Sequence, residues 1–178
     1  MTDAGFEARA LEVKSDIRNG NLHGLETKKG FCWRFANRLY DVLTGQRLLL
    51  EGAASAKNAY QSLWLKGYEV QDEPRAGDAL FWLDGQFGHV AVYLGGGRVI
   101  ENTSSTRGEK LAGAIRSGTT IRSGYHVIRP PWITEAYEGP PRVVIVPMAG
   151  RPQVVLDAID KDGVLYVPAR AAFEAVGL

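Results

Sequence analysis

The sequence predicts an α+β protein in which helices pack on one side of an antiparallel sheet, with a small module at the C-terminal end. Three observations lead to this prediction. Apolar residues recur every three or four positions in the first third of the chain, as they do on one face of a helix. The period then falls to two in the middle third, which is typical of strands. A proline-rich segment separates the last part of the chain from the rest.

Three helices are predicted before residue 70. The first ends at Asn19-Gly20, and its apolar face consists of Phe6, Ala10, Val13 and Ile17. The second ends at Gly45, a residue suited to a left-handed C-terminal cap. Its apolar residues are Phe31, Phe35, Leu39, Val42 and Leu43. The third runs from about residue 53 to 66 and stops at Gly67. The residues expected to face inward from it are Ala56, Tyr60, Leu63 and Trp64.

Strands are predicted at "YEVQ", "DALFWL", "HVAVYLG", "RVIENTS" and "YHVIRP". The glycines at 95–97 supply a turn between the third and fourth of these, which makes a hairpin. The polar, glycine-rich stretch 105–124 is predicted to be a long loop, and such loops in compact domains are often functional. Its basic residues either grip carboxylates of a peptide or form an ordinary solvated face. They are Arg107, Lys110, Arg116 and Arg122.

Composition narrows the classes of function. The 178 residues are 45% hydrophobic and 23% charged, as expected of a globular protein with a substantial core. A net charge of +1 offers no reason to expect nucleic-acid binding. No apolar run approaches the roughly 20 residues of a membrane span, so no membrane insertion is expected. The first twenty residues carry early acids and lack the apolar stretch of a signal peptide.

The single cysteine, Cys32, stands at the predicted start of the second helix. A thiol there lies at the positive end of the helix dipole, among unpaired backbone N–H groups, and Lys28 and Lys29 are close in sequence. These features favour the reactive thiolate, and the same N–H groups suit a developing oxyanion. The alternative is an inert small residue packed between Phe31 and Phe35.

His89 opens the predicted hairpin, and Glu101 and Asn102 close it. An imidazole beside Cys32 would act as the base that takes the thiol proton. A turn at residues 95–97 brings positions 89 and 101 roughly opposite each other, so Glu101 would hold one ring nitrogen and leave the other for the thiol. In a regular strand Asn102 points to the opposite face, which makes it the second candidate for the third catalytic position.

No metal and no cofactor are expected. The three histidines, His23, His89 and His126, do not have metal-ligand spacing. In "AIDKDG", Ala158 occupies the first ligand position of a calcium loop, so a tight turn is the better interpretation. There is no phosphate-binding loop, and the triple glycine lacks the strand–helix context of a dinucleotide site.

The stretch "PRAGDALFWLDGQFGHVAVYLGGGRVIEN" resembles the NlpC/P60 family of cell-wall cysteine peptidases and the related CHAP amidases. "GFCWRFANRLY" resembles the cysteine-led helix of the same families, with Cys32 in the nucleophile position. The resemblance covers roughly residues 28–130 and implies a papain-like core. Its twelve-residue spacing from histidine to third residue favours Glu101. The aspartate-cysteine-serine pattern common in NlpC/P60 is absent and "WRFANRL" looks more like CHAP, so subfamily and scissile bond stay open. In the stretch that begins "PRAGD", the residues that match the family pattern are Pro74, Gly77, Asp78, His89 and Glu101.

The tail carries a resemblance of its own. Residues 143–178 are similar to the first half of the copper amine oxidase N-terminal-like module, in which two short strands precede a turn and a helix. The matching turn is at 167–170, and the helix starts at 171. The resemblance implies a binding or spacer module without a metal. The expected organisation is therefore a hydrolase domain over 1–130, a proline-rich linker over 131–142 and this partial module over 143–178.

These resemblances imply hydrolysis of an amide bond in peptidoglycan, by an endopeptidase or an N-acetylmuramoyl-L-alanine amidase. The stem peptides would be its substrates, and a phage setting would add tail proteins as partners. Without a visible signal peptide, three routes to the cell wall are open: phage lysis, a phage tail tip, or a chain whose leader was removed. Two alternatives belong to other classes. One is a non-catalytic wall-binding or tail-structural module, and the other is a cysteine acyltransferase or deamidase on the same fold.

Overall fold

A computed structural model describes residues 1–50 and 52–133 and, further on, four short strands between 142 and 166. The chain divides into two compact units, Met1–Glu135 and Ala136–Leu178. None of the helices in the described part of the chain is both long and apolar enough to cross a membrane.

The three predicted helices are present. They are α1 (Asp3–Arg18), α2 (Cys32–Thr44) and α3 (Ala56–Leu65). The hydroxyl of Thr2 caps α1 by accepting from the Gly5 N–H, and that of Ser55 caps α3 by accepting from the Asn58 N–H. Gly45 ends α2 with a left-handed φ of 72°. Propensity, capping residues and apolar period agree here, which is why the sequence is sufficient to locate these elements.

Two details of the predicted helix faces are wrong. Trp64, expected to face inward, is 54% exposed, whereas α3 buries Ala56, Ala59 and Leu63 and packs Tyr60 against the core as expected. Phe31 was placed on the apolar face of α2, but it precedes the helix as its N-cap residue and is 37% exposed. Both side chains fit the apolar period, but the core does not extend to their two positions.

The first unit contains a seven-stranded antiparallel sheet. Its strands are β1 (Glu69–Val70), β2 (Ala79–Trp82), β3 (His89–Gly95), β4 (Arg98–Asn102), β5 (Glu109–Ala112), β6 (Ile115–Thr120) and β7 (His126–Ile128). Their spatial order is β1-β7-β2-β3-β4-β6-β5. The α+β class with helices on an antiparallel sheet is thus confirmed. The prediction of a long loop over 105–124 is wrong, because β5 and β6 form a hairpin there that extends the sheet. Its glycines and charged residues masked the alternation on which strand prediction depends.

The helices cover one face of the sheet. Val90, Val92 and Ile100 belong to the helix-side core, whereas Ala91 and Val99 belong to a smaller cluster on the other face. The central strands are therefore buried on both sides, which explains why Val99 and Ile100 do not alternate with polar residues. This arrangement places the N-terminal end of α2 beside the start of β3.

A buried ion pair between Asp78 and Arg129 joins the start of β2 to the end of β7. Asp78 is fully buried and accepts hydrogen bonds from the Arg129 guanidinium at 3.1 and 2.9 Å and from the Arg75 N–H at 2.8 Å. The Tyr40 hydroxyl donates to the Gly77 carbonyl at 2.6 Å. Burial, and then the charge of Asp78, raise the pKa of Tyr40 well above its ordinary value. These contacts attach α2 and the end of β7 to the start of β2.

The second unit contains two antiparallel pairs among its described residues. Strand β8 (Arg142–Ile145) pairs with β9 (Val154–Asp157), and β10 (Ile159–Lys161) pairs with β11 (Val164–Tyr166). The predicted turn at 167–170, the predicted helix from 171, and 134–141 of the predicted linker lie outside the described residues.

Candidate active site

Cys32 is the first residue of α2 and is partly buried. Its N-cap residue, Phe31, offers no side-chain hydrogen bond to the first backbone N–H groups of the helix. The backbone N–H groups of Trp33 and Val90 hydrogen-bond the sulfur. Backbone N–H groups at the start of α2 and at the start of β3 thus both point at the Cys32 thiol.

His89 lies between Cys32 and Glu101. Its Nε2 is 2.6 Å from Oε2 of Glu101, and its ring also hydrogen-bonds the thiol of Cys32. Since Glu101 engages Nε2, Nδ1 is the nitrogen left for the sulfur. Glu101 is 6% exposed, so this carboxylate is held away from bulk water. The side chains of Cys32, His89 and Glu101 thus form one continuous chain of contacts.

The contacts of this chain shift the pKa of Cys32 towards the thiolate and that of His89 towards the imidazolium. Burial alone would raise the pKa of Cys32, but the hydrogen bond and charge of His89, together with the two backbone N–H groups, bring it below its ordinary value. Burial would likewise lower the pKa of His89, but its hydrogen bonds to Cys32 and Glu101 and their charges raise it to about 9. Lys28 and Lys29 are exposed, so water screens their effect on the thiol.

The register of the β3–β4 hairpin determines how Glu101 reaches His89. Val92 pairs with Ile100, and the pairing shifts between Tyr93 and Gly95, so Glu101 lies opposite Ala91. His89 is therefore the diagonal neighbour of Glu101 on the same face, a distance that a long side chain can bridge. Positions 89 and 101 thus lie close to each other across the hairpin, two residues out of direct register, and Glu101 contacts one ring nitrogen of His89.

Asn102 has a different environment. It is 1% exposed, and its Nδ2 donates to the carbonyls of Glu26 at 2.8 Å and Lys28 at 2.9 Å. These two carbonyls belong to the segment 26–28, just before α2. The Ala114 N–H also holds this segment, by donating to the Thr27 carbonyl at 2.8 Å. Of the two residues considered for the third position, the structure brings Glu101 to His89, and it places Asn102 as a support for the chain that leads into Cys32.

A groove of about 460 Å³ contains Cys32 and one side of His89. Phe31 and Phe87, which are 37% and 61% exposed, lie along it, as does the indole of Trp33. Open access to the Cys32 thiol, with exposed aromatic side chains beside it, suits a polymeric or peptide ligand better than a small enclosed one.

The remaining histidines are engaged elsewhere. His23 contacts Asp16 at 2.8 Å, and His126 contacts Glu69 at 2.9 Å and the Tyr60 hydroxyl at 3.2 Å. Within residues 1–50 and 52–133, no three side chains of His, Cys, Asp or Glu are grouped so as to hold a metal ion.

A cysteine at the head of a helix, packed against an antiparallel sheet that carries a histidine and a carboxylate, defines a papain-like α+β protein. The chain belongs to the NlpC/P60 family, whose model matches residues 21–122. Members of this family are in general cysteine peptidases with a role at the cell wall. A search of the curated proteins finds no match to this chain.

Proposed function

We propose that this protein hydrolyses an amide bond of peptidoglycan, with Cys32 as nucleophile, His89 as general acid and base, and Glu101 as the group that orients His89. The observation that carries the proposal is the hydrogen-bonded chain Cys32–His89–Glu101 at the edge of an open groove. Family membership supports the cell wall as the place of action.

In the first half of the reaction the thiolate of Cys32 attacks the carbonyl carbon of the substrate, and a C–S bond forms. The backbone N–H of Cys32 is the donor we assign to the developing oxyanion. When the C–N bond breaks, the imidazolium of His89 gives its proton to the departing amine. The products of this half are a free amine and a thioester on Cys32.

In the second half a water molecule attacks the thioester. Neutral His89 takes a proton from this water, and the C–S bond breaks to release a carboxylic acid and regenerate the thiolate. Glu101 accepts the Nε2–H of His89 throughout, which fixes the ring so that Nδ1 faces the sulfur. Asn102 contributes indirectly, because it holds the 26–28 segment from which α2 starts.

Mass spectrometry of purified peptidoglycan after incubation with the protein tests this proposal. An endopeptidase would cut within the stem peptide or its cross-link, whereas an amidase would free intact stem peptides from the glycan. The matched control is Cys32→Ala, which should yield no products. Unchanged peptidoglycan with the unaltered protein would reject the hydrolase and favour the non-catalytic wall-binding module. Loss of ammonia, or acyl transfer without chain cleavage, would favour the deamidase or acyltransferase.

We further propose that residues 143–178 form the binding or spacer module that their sequence resembles. Their role would be to keep the first unit near its polymeric substrate. Removing them should lower retention on insoluble peptidoglycan and leave the turnover of short soluble fragments unchanged. Equal retention with and without these residues would contradict the binding role.

A further inference from the structure

A second cavity, of about 320 Å³, lies on the Glu101 side of His89. It shares His89, Thr103 and Ser104 with the groove that contains Cys32, so the two spaces meet at the general base. A peptide whose scissile carbonyl lies at Cys32 has only to cross Thr103 and Ser104 to enter it. The nucleophile chemistry does not use this cavity.

Arg122 lines the cavity and is held by its neighbours. Its guanidinium lies over the Trp82 ring, 4.8 Å from the centroid. The indole N–H of Trp82 donates to the Ser123 carbonyl at 3.1 Å, so the same indole also holds the backbone that follows Arg122. The Trp82 ring is itself 5.7 Å from the His89 ring. Arg122 therefore has a defined position one aromatic ring away from the general base.

Arg107 lines the same cavity from the loop between β4 and β5. The Ser105 N–H donates to the Thr103 hydroxyl, and the Arg107 N–H donates to the Ser105 hydroxyl, both at 3.1 Å. Gly108 follows with a φ of 75°, and a Cβ there would lie 2.7 Å from Oγ1 of Thr119. Only glycine fits this close approach, so the loop lies against β6 and keeps Arg107 at the cavity.

The charges of the cavity are unbalanced. Glu101 is its one acidic residue, and it is already engaged by His89. Neither Arg107 nor Arg122 forms an ion pair with any carboxylate in the part of the chain that the structure describes. Two guanidinium groups that line one concave site beside His89, one of them stacked on Trp82, are complementary in charge to a carboxylate ligand.

We propose that Arg107 and Arg122 bind a free carboxylate of the substrate next to the scissile amide, so that the enzyme selects acidic stem peptides over their amidated forms. This inference rests on the proposed function, since it assigns the substrate class of the same site. Charge-assisted hydrogen bonds of this kind at a partly exposed site should change affinity about five- to fiftyfold.

The test compares two synthetic stem peptides that differ only in having free or amidated side-chain and α-carboxylates. Their binding to the full chain carrying Cys32→Ala is measured by titration calorimetry, which requires no turnover. The acidic peptide should bind more tightly, and Arg107→Gln together with Arg122→Gln should abolish the difference. Arg122→Lys should keep part of it. The matched control is Arg98→Gln, an exposed arginine that lines a separate cavity between α1 and the sheet.

The loss of binding in the two arginine variants must also be distinguished from a loss caused by structural damage. With Cys32 intact, the arginine variants should raise KM for the acidic peptide much more than KM for the amidated peptide, whereas Arg98→Gln should leave both unchanged. Equal affinity of the unaltered cavity for both peptides, or no measurable binding of either, would overturn the inference. So would a parallel loss on both peptides in the arginine variants. Discrimination in binding without any hydrolysis by the Cys32 form would reject the proposed function and keep the carboxylate site.

Discussion

Glu101 reaches His89 diagonally across the β3–β4 ladder, with 2.6 Å between Oε2 and Nε2, although its direct partner in the register is Ala91. The bulge near the turn brings about this offset. A carboxylate directly opposite His89 would lie beside the ring, whereas the diagonal position lets the side chain extend to the far nitrogen. The near nitrogen thereby stays available to Cys32.

Replacing Glu101 should affect catalysis, and replacing Asn102 should mainly affect stability. Glu101→Ala removes the group that orients the base and should lower kcat by roughly 10²–10⁴-fold. Asn102→Ala leaves two backbone carbonyls without their donor and should lower the free energy of unfolding by about 1–3 kcal/mol, with a clearly smaller loss of kcat. Steady-state kinetics and chemical denaturation measure the two effects. A larger loss of kcat in Asn102→Ala would reverse the assignment of the third residue.

The thiol of Cys32 should react at low pH. Because His89 and two backbone N–H groups hold its pKa below the ordinary value, iodoacetamide should alkylate it well below pH 8. His89→Ala should move the pH dependence of alkylation upward. Cys32→Ala provides the blank and should melt close to the unaltered protein, since the side chain is small and partly exposed. A thiol that reacts only after unfolding would instead indicate the inert packing role.

The pH profile of kcat/KM should be limited on its alkaline side by His89. The active ion pair forms as pH rises through the lowered pKa of Cys32, and it is lost as the imidazolium deprotonates at about pH 9. Glu101→Gln removes a charge that raises the pKa of His89, so the alkaline limb should move to lower pH. Initial rates on a soluble stem peptide measure both limbs. An alkaline limb that does not move in Glu101→Gln would contradict this account.

The ion pair between Asp78 and Arg129 should be critical for stability. Asp78 is fully buried, so Arg129→Ala would leave an unpaired carboxylate and should cost about 3–5 kcal/mol in unfolding free energy. Arg9→Ala is the control, because the Arg9–Glu12 pair is exposed and should be worth no more than about 1 kcal/mol. Similar costs in urea denaturation for both variants would show that Asp78 is neutralised by other means.

Most of the elements could be predicted from the sequence, because local signals agree with the fold. The cap residues Thr2 and Ser55 and the terminal Gly45 mark helix ends through their own backbone chemistry. The β5–β6 hairpin could not be predicted, since β5 is an edge strand and the two strands carry glycine and charged residues where a central strand would be apolar. Exposure of Trp64 likewise depends on how far the sheet extends beneath α3.

The sequence by itself determined which residues are candidates: a lone cysteine at a helix start, a histidine that opens a strand and two polar residues that end the next. These follow from residue chemistry and spacing, which are local. Only the tertiary structure shows that Glu101, and not Asn102, contacts His89, because a one-residue shift in a ladder reverses which face a side chain takes. It also brought Arg107 and Arg122, fifteen residues apart, to one cavity beside His89. That proximity depends on the packing of Gly108 on β6 and of Trp82 against Arg122. Neither contact could be predicted from the periodicity of the sequence.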